Sequence, residues 1–540
     1  MLRKEITIKI SGEAGKGAQT IGDALCRALK RQGLNIFADQ DYMSRIRGGN
    51  NFYRIRLSSE PVFSPREKED LFVDLDKPSI SADGSPLGIS LGDKFVNSSA
   101  LGAVACIMGI GFDGVEKELR SAFSKKGDDI TGQNVAASKA GYEAASAPGI
   151  KGRFAITAGP AASPLIMDGN SAIALGAIRS GCKFYSAYPM TPSTTIMDTI
   201  AHYADKFGIV VEQAEDEIAA INMAIGASFA GVRSMTSTSG GGFALMVEGV
   251  SLAGMTETPV VVVDAQRPAP ATGFPTRTEQ ADLDFVLHAG HGEFAKALFA
   301  PGTIEEAFYL TIRAFNLAEK YQIPVFILTD QHLADSTRNI AAFDLNAEKV
   351  SRSIISKEES RGIREYKRYA LNDTGISPRA VPSWIDGVIY ADSDEHTEEG
   401  HITEDAAVRV SMVEKRFHKK MAGLSREIVG PKIGGDPGTA DIILAGFGST
   451  YGVIKEACGR VTGKKVAQIH LPQVWPFPTE GLSSLLKGPG KLFTVENNAA
   501  GQLARLIRRE TGIKADGSIL KYDGRPFDLD HLVRKIEEAL

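Results

Sequence analysis

Between residues 168 and about 335 one pattern recurs: a short apolar strand, a turn of glycines, hydroxyls or acids, and an amphipathic helix. Its members are the helix opened by DGNSAIALGAIRSG, the strand KFYSAY, a helix from Pro192, the strand GIVVE, a helix from Glu217, the strand RSMTST, a triple glycine with its helix, and the strand PVVVVDA. Strands joined by helices run parallel, so the segment predicts a doubly wound α/β sheet. Ligands of such sheets bind where a strand gives way to a helix, and that is where chemistry is to be sought.

A chain of 540 residues exceeds one hydrophobic core, so several α/β units are expected. Residues 1–155 read as an N-terminal α/β domain. They carry an alternating strand from Ile6 to Ile10, the glycine loop SGEAGKGAQ, a helix with Ile21, Ala24, Leu25, Ala28 and Leu29 on one face, and the strands NIFAD and NFYRIRLS. AASAPG and its surroundings form a linker, and residues 165–335 hold the doubly wound sheet. Residues 336–432 are charged and turn-rich, yet Tyr, Trp and Ile recur there, which predicts an ordered crossover or arm. TADIILAGFGST, KKVAQIHLP and GKLFTVENN place a last α/β domain at 433–540.

Charge and cysteine content exclude several functions. The 61 basic and 66 acidic residues form no basic tract of the kind nucleic-acid binding needs. The opening MLRKEITIKI has no apolar h-region, and Leu101 to Phe112 is too short to cross a bilayer, so a cytoplasmic protein is expected. No two of Cys26, Cys106, Cys182 and Cys458 stand closer than Cys106 and Cys182. Spacing of that kind cannot hold zinc or an iron-sulfur cluster, and each cysteine is expected to be a small buried apolar residue.

Four strand-to-helix turns carry the chemistry. In SAYPMTPSTT, Pro189 restricts Tyr188 to an extended conformation, and Pro192 suits the first helical position, leaving Thr191 as N-cap. The helix so begun has Ile196, Ile200, Tyr203 and Phe207 as its expected core face. Rigid hydroxyls and N–H groups at a helix start suit an anion or carbonyl oxygen, while the plainer reading is a capped helix without ligand. In EQAEDEIAAINMAIGASFAG, Glu217 stands at the strand-to-helix edge, ahead of a buried stripe of Ile218, Ile221, Ile225 and Phe229. Acids there are ordinarily dipole partners. STSGGG brings Ser239 and Gly240, and AQRPAPATGFPTRTEQ brings Arg267 and Arg277.

Two other motifs stay open. Gly12, Gly15 and Gly17 follow a strand and precede a helix, but neither the GxxxxGK[ST] nor the GxGxxG spacing is present. The loop is a tight turn or a site for a phosphate-bearing ligand, with Arg45 and Arg47 in SRIRGGNN as a second anion contact or a solvated turn. His288, His291 and Glu293 sit in a glycine-broken loop rather than on one helix face, which favours a polar loop over a metal site.

The combination of GEAGKGAQ, RIRGG, YPMTPS, EDEIAAINMAIGAS, TSTSGGG, TETP, QRPAPATGFPTRTEQ, YKRY, GISPR and EHTEEGHITE resembles the 2-oxoacid:ferredoxin oxidoreductases, specifically an alpha subunit with a fused N-terminal gamma domain. Met190 replaces the commoner Ile, and Gly241 stands where many relatives have proline; neither change removes a functional group. The resemblance implies that residues 165–335 are the pyrimidine-binding domain of a thiamine diphosphate enzyme and that 433–540 resemble the transketolase C-terminal domain. It implies that Glu217 activates the cofactor at N1′, that Tyr188, Pro189, Ser239 and Gly240 line the cofactor site, and that Thr191 with Arg267 or Arg277 holds the substrate. Coenzyme A is the implied cosubstrate, with Gly12, Gly15, Gly17, Arg45 and Arg47 as its candidate contacts. The family's GDG motif for diphosphate and Mg2+ is absent from the sequence. Mg2+ and an iron-sulfur cluster are therefore implied for a beta subunit, with ferredoxin as acceptor. The activity implied is CoA-dependent oxidative decarboxylation of a 2-oxoacid, 2-oxoglutarate favoured, by a heteromer. The alternative is a nucleotide-binding regulatory or scaffold subunit without thiamine chemistry.

Overall fold

The computed structural model describes residues 3–44, 48–92, 94–157, 164–361 and 363–539. Arg45 and Arg47 lie outside the described residues. Three sheets organise the described residues, and the α/β multi-sheet class expected from the sequence is the class observed.

The first sheet begins with β1 (Glu5–Gly12), β2 (Asn35–Asp41), β3 (Asn51–Ser58), β4 (Leu71–Asp74), β5 (Ser79–Ala82), β6 (Ser85–Pro86) and β7 (Leu165–Asp168). The amphipathic helix Ala18–Lys30 follows β1 and buries Ile21, Ala24, Leu25, Ala28 and Leu29, the face expected from their spacing. Helices Val96–Ile107 and Asp128–Ala144 pack so closely that a methyl on Gly102 or Gly141 would collide with the other helix's backbone, at Ser138 and Ser99.

The second sheet contains β8 (Cys182–Ala187), β9 (Val210–Gln213), β10 (Arg233–Thr238), β11 (Val260–Gln266), β12 (Ala297–Phe299) and β13 (Pro324–Asp330). Its central strands are parallel, with Thr238 opposite Asp264 and Gln266 opposite Asp330. Helices cover both faces, which is why β11 reads as an unbroken valine run: Val260 and Val262 enter one core, Val261 and Val263 the other. After β13 the chain returns to the first sheet as β14 (Thr337–Ile340), between β2 and β7. The strands that flank the second sheet in sequence thus belong to the first, an arrangement that the apolar pattern of these short segments does not signal.

The third sheet holds β15 (Lys432–Gly434), β16 (Ile442–Phe447), β17 (Val466–Leu471), β19 (Lys491–Glu496) and β20 (Gly517–Leu520), while the intervening β18 (Gln473–Trp475) pairs with β12 in the second sheet. Between β14 and β15 the chain is largely irregular but ordered by buried charge. Glu257 follows the helix Gly240–Met255 at φ 49°. Its carboxylate pairs with Lys415 and with Lys420, the latter at 2.5 Å, and its carbonyl accepts from Arg368 at 2.6 Å. All three side chains of the Glu257–Lys415–Lys420 group are buried, so losing Glu257 would leave two buried ammonium groups without their counter-ion. Among the described residues no helix is long and apolar enough to cross a membrane.

The first and third sheets are joined by a second buried ion group. Arg56, 1 % exposed, takes Glu5 at 2.8 Å and both oxygens of Glu456, at 3.0 and 2.6 Å. Glu456 also accepts from Phe63 N and Ser64 Oγ. The Glu456→Ala variant strands those donors and is expected to lower the unfolding free energy by about 3 kcal/mol in a urea titration. A loss under about 1 kcal/mol would mean that the pair is no better than an exposed one.

Candidate active site at the strand ends of the second sheet

The turn after β8 differs from its expected form. The Thr191–Pro192 peptide is cis, and Ser193 N donates to Met190 O at 2.9 Å, closing a turn over residues 190–193. The helix therefore starts at Thr194 rather than Pro192, and the N-cap position falls to Ser193 instead of Thr191. Ser193 Oγ is spent on Met190 O at 2.8 Å. Asn170, fully buried, fastens the turn by donating to Pro192 O at 2.8 Å and Thr195 Oγ1 at 2.7 Å. Ile196 and Ile200 are buried as expected, but Tyr203 is part-exposed and Phe207 is 41 % exposed. Tyr188 is likewise exposed, and Pro189 and Thr191 are half-buried.

Glu217 opens the helix Glu217–Phe229, whose N-cap is Asp216, accepting from Ala219 N at 2.8 Å. Because Asp216 does the capping, Glu217 is free to turn inward, where it is 3 % exposed. Its Oε1 is buried without a hydrogen-bond partner among the described residues. The neighbouring turn explains the space around it. A methyl on Gly242 would collide with Thr238 Oγ1 and lie 2.5 Å from Glu217 Oε1, so a side chain at position 242 would fill the room beside the carboxylate. Thr238 Oγ1 in turn reaches Met190 Sδ at 3.8 Å.

Arg267, just past β11, donates from Nη1 to Thr191 O at 2.7 Å. Burial draws its pKa down while the charge of Glu217 draws it up. Thr191, Glu217, Thr238 and Arg267 are thus assembled from the ends of β8, β9, β10 and β11. Ser239 is wholly buried with Oγ unpartnered, and the helix Gly240–Met255 that follows it has no side-chain cap. Its first N–H groups are therefore available to a ligand.

Arg277 is not part of this group. It pairs with Asp41 at 2.8 Å and donates to Tyr42 O at 2.6 Å, tying the end of β2 to the second sheet. Gly12, Gly15 and Gly17 form the expected strand-turn-helix, with Gly15 and Gly17 at φ 90° and 82°. Asp76 accepts from Glu13 N in that loop, and the helix Ala18–Lys30 has no side-chain cap. In the HxxHxE segment His288 Nδ1 lies 2.7 Å from Asp284 O, and His291 O accepts from Ser251. Among the described residues no group of three or more His, Cys, Asp or Glu is placed to hold a metal ion.

Sequence reasoning missed two carboxyls here. Asp264, fully buried in β11, has both oxygens unpartnered, and Asp282 Oδ2 is unpartnered beside Gly240. Burial raises the Asp264 pKa well above the carboxylate range and the Asp282 charge adds to it; burial, then Glu279, raises Asp282 to about 6. The one signal was an aspartate set within the otherwise apolar strand β11.

Comparison with known proteins decides what this site belongs to. Residues 175–415 match the family described as "Pyruvate flavodoxin/ferredoxin oxidoreductase, thiamine diP-bdg", and residues 7–91 match "Pyruvate ferredoxin/flavodoxin oxidoreductase". The 2-oxoacid:ferredoxin oxidoreductase subunit alpha of a Sulfolobus species is 33 % identical, over 98 % of this chain and 96 % of that one. The chain belongs to the 2-oxoacid:ferredoxin oxidoreductase alpha subunits. Another relative, the 2-oxoglutarate synthase subunit KorA of Methanocaldococcus jannaschii, is 37 % identical over 59 % of this chain and 85 % of its own. A chain of the solved 2-oxoglutarate:ferredoxin oxidoreductase from Magnetococcus marinus, with 2-oxoglutarate, coenzyme A and succinyl-CoA bound, superposes with a TM-score of 0.89 at 32 % identity, covering 99 % of this chain and all of that one. This alpha subunit is therefore part of a thiamine-dependent oxidoreductase, which displaces the reading as a nucleotide-binding scaffold. The residues around Glu217 fit the cofactor: an orphaned buried carboxylate oxygen, and beside it a cradle that any side chain at 242 would fill.

Two neighbouring glycines test that cradle. Alanine is the better helix former, yet Gly242→Ala is expected to lower stability in a denaturant titration by about 1–3 kcal/mol through overpacking against Glu217 and Thr238. Gly241→Ala, whose methyl would meet nothing nearer than Ala271 O at 3.7 Å, is expected to stay within about 0.5 kcal/mol of the wild type.

Proposed function

We propose that this alpha subunit, with a beta subunit, carries out the CoA-dependent oxidative decarboxylation of 2-oxoglutarate to succinyl-CoA and CO2, passing electrons to a low-potential carrier of the ferredoxin type. The observation that carries the reading is the buried Glu217 carboxylate, whose Oε1 has no partner beside Gly242. The substrate is supported by the relatives named for 2-oxoglutarate and by the ligands of the Magnetococcus marinus enzyme.

Thiamine diphosphate, when bound, supplies the nucleophilic carbon and the electron sink that decarboxylation of a 2-oxoacid requires. Glu217 Oε1 holds a proton shared with the aminopyrimidine N1′ and returns it, a transfer that a buried and otherwise unpartnered oxygen makes without first giving up another hydrogen bond. Ser239 Oγ and the first N–H groups of the helix Gly240–Met255, together with Tyr188 and Pro189, line the same place. Arg267 binds the 2-oxoacid carboxylate. A guanidinium has five donors, and with one of them on Thr191 O the ring of remaining N–H groups is aimed and still free for a bidentate contact. Thr191 then stands next to the bound acid. Arg277, fixed by Asp41 and Tyr42, serves instead to hold the first sheet against this edge.

Residues 1–155 act as the gamma domain and 433–540 as the C-terminal domain, with 336–432 as the arm that packs them on 165–335. The glycine loop Gly12–Gly17 and the uncapped start of the helix Ala18–Lys30 suit a phosphate of coenzyme A, with Arg45 and Arg47 as further contacts. The beta subunit holds the diphosphate through Mg2+ and carries the iron-sulfur cluster, since the chain has neither a GDG motif nor clustered cysteines. Large apolar side chains left exposed on the two helices that frame the site, Ile218, Met223 and Leu245, fit a subunit contact there. The reaction takes place in the cytoplasm.

Glu217→Gln in the purified heteromer is expected to cut 2-oxoglutarate-dependent acceptor reduction by at least about 100-fold while assembly on gel filtration is unchanged. Full turnover by that variant refutes the role. Arg267→Ala is expected to raise the KM for 2-oxoglutarate by about tenfold or more, as loss of a charged hydrogen bond implies, and to leave the KM for coenzyme A unaltered. An effect on kcat alone would remove Arg267 from substrate binding.

A further inference from the structure

A second cavity, of about 390 Å3, opens where the three sheets meet. Asn35, Phe63 and Arg338 line it from the first sheet and its loops, Glu305 from the start of the helix Ile304–Tyr321, and Lys432, Tyr451 and Lys455 from the C-terminal unit. Its lining shares no residue with the site around Glu217 or with the glycine loop. Asn35 opens β2 at this cavity, and Asp41 closes the same strand on Arg277; seven extended residues separate the two ends by about 20 Å.

The walls carry more positive than negative charge. Arg338 Nη2 spends itself on both oxygens of Glu305, at 2.7 and 2.5 Å. Lys432 pairs with Glu306 at 2.5 Å, whose other oxygen meets the buried His470 at 3.0 Å. The acids are therefore engaged. Lys455 has no carboxylate within ion-pair distance among the described residues; its ammonium sits 3.9 Å above the Phe63 ring, against which Arg338 also packs at 4.6 Å. Burial draws the Lys455 pKa down and the Arg338 charge draws it further, against smaller contributions from Glu305 and Glu456. With Glu305 already bonded to Arg338, it is the Lys455 charge that stands in this half-buried recess without an ion-pair partner among the described residues. The groups that remain free are donors: Arg338 Nε and Nη1, the ammonium protons of Lys432 and Lys455, and the Tyr451 hydroxyl.

Donors converging from separate walls suit a tetrahedral oxyanion better than a planar carboxylate, and lysine serves phosphate as a point charge. The volume exceeds what inorganic phosphate alone would fill and falls within the range of small-molecule pockets. We propose that this cavity binds a small phosphate-bearing ligand that bridges the three sheets, at a site separate from the catalytic one.

The test is calorimetry on the heteromer loaded with thiamine diphosphate and coenzyme A, titrated with inorganic phosphate, inorganic pyrophosphate and succinate at matched ionic strength. Pyrophosphate is expected to bind with a Kd of about 1 mM or tighter. Lys455→Ala should weaken it about tenfold or more, Tyr451→Phe by less, and Lys455→Arg should restore it, with 2-oxoglutarate turnover unchanged in all three. Absence of heat with the wild type overturns the proposal. So does equal affinity in wild type and Lys455→Ala, which would put the anion elsewhere, and succinate binding as tightly as pyrophosphate overturns the phosphate class.

Discussion

A carboxylate withdrawn from water with one oxygen unpartnered is expensive, and a fold tolerates it only where something else completes it. Glu217 is such a group, and much of the second sheet can be read as the means of keeping it so. Asp216 takes over the cap, which would otherwise draw Glu217 onto its own helix. Gly242 withholds the side chain that would crowd it. Arg267 stays close by while its own hydrogen bond goes to Thr191 O. The parallel order of β9, β8, β10 and β11 brings all these turns to one edge. Of the glycines of TSTSGGG it is Gly242 on which the close approach of the helix Gly240–Met255 to Glu217 depends, since a methyl there would meet Thr238 Oγ1 and Glu217 Oε1.

The same helices carry a surface that suits the proposed partner. Ile218 is 50 % and Leu245 49 % exposed, although both stand beside residues in contact with the core. A helix lying on a sheet needs one apolar stripe; these carry a second, pointing away. That surplus is the reason Ile218 looked like core in the sequence, since periodicity reports that a face is apolar without saying what covers it. For a subunit of this family, a surface of that kind beside an unfinished cofactor site is where the partner proposed above would sit.

What was legible follows from the range of the forces involved. The helix after the glycine loop, the strand NFYRIRLS and the start of the helix at Glu217 depend on residues within a few positions of one another, and they fall where pattern puts them. The Thr191 turn does not, because the hydrogen bonds that fasten it come from Asn170 and Arg267, elsewhere in the fold; local capping rules favour a helix from Pro192, and the helix begins two residues later. Sheet membership of β7 and β14 is equally non-local. Asp264 and Asp282 became visible only once their unpartnered oxygens could be located, since one aspartate inside a valine strand and one before a short helix carry no local sign of a shared site.

Arg267 and Arg277 separate for a reason that residue type cannot carry. Both follow β11 within one segment, and either could have held a substrate carboxylate. Arg277 is given a counter-charge by Asp41, which Arg525 shares at 2.9 Å from the third sheet's unit. Asp41 thus gives both arginines an ion pair within the chain, and the group fixes the end of β2 against both other units. Arg267 makes no ion pair among the described residues and bonds only to a backbone carbonyl. Its charge is unmatched among the described residues, and the same distinction, between cations matched by the fold and cations the fold leaves unmatched, sets Lys455 apart from Arg338.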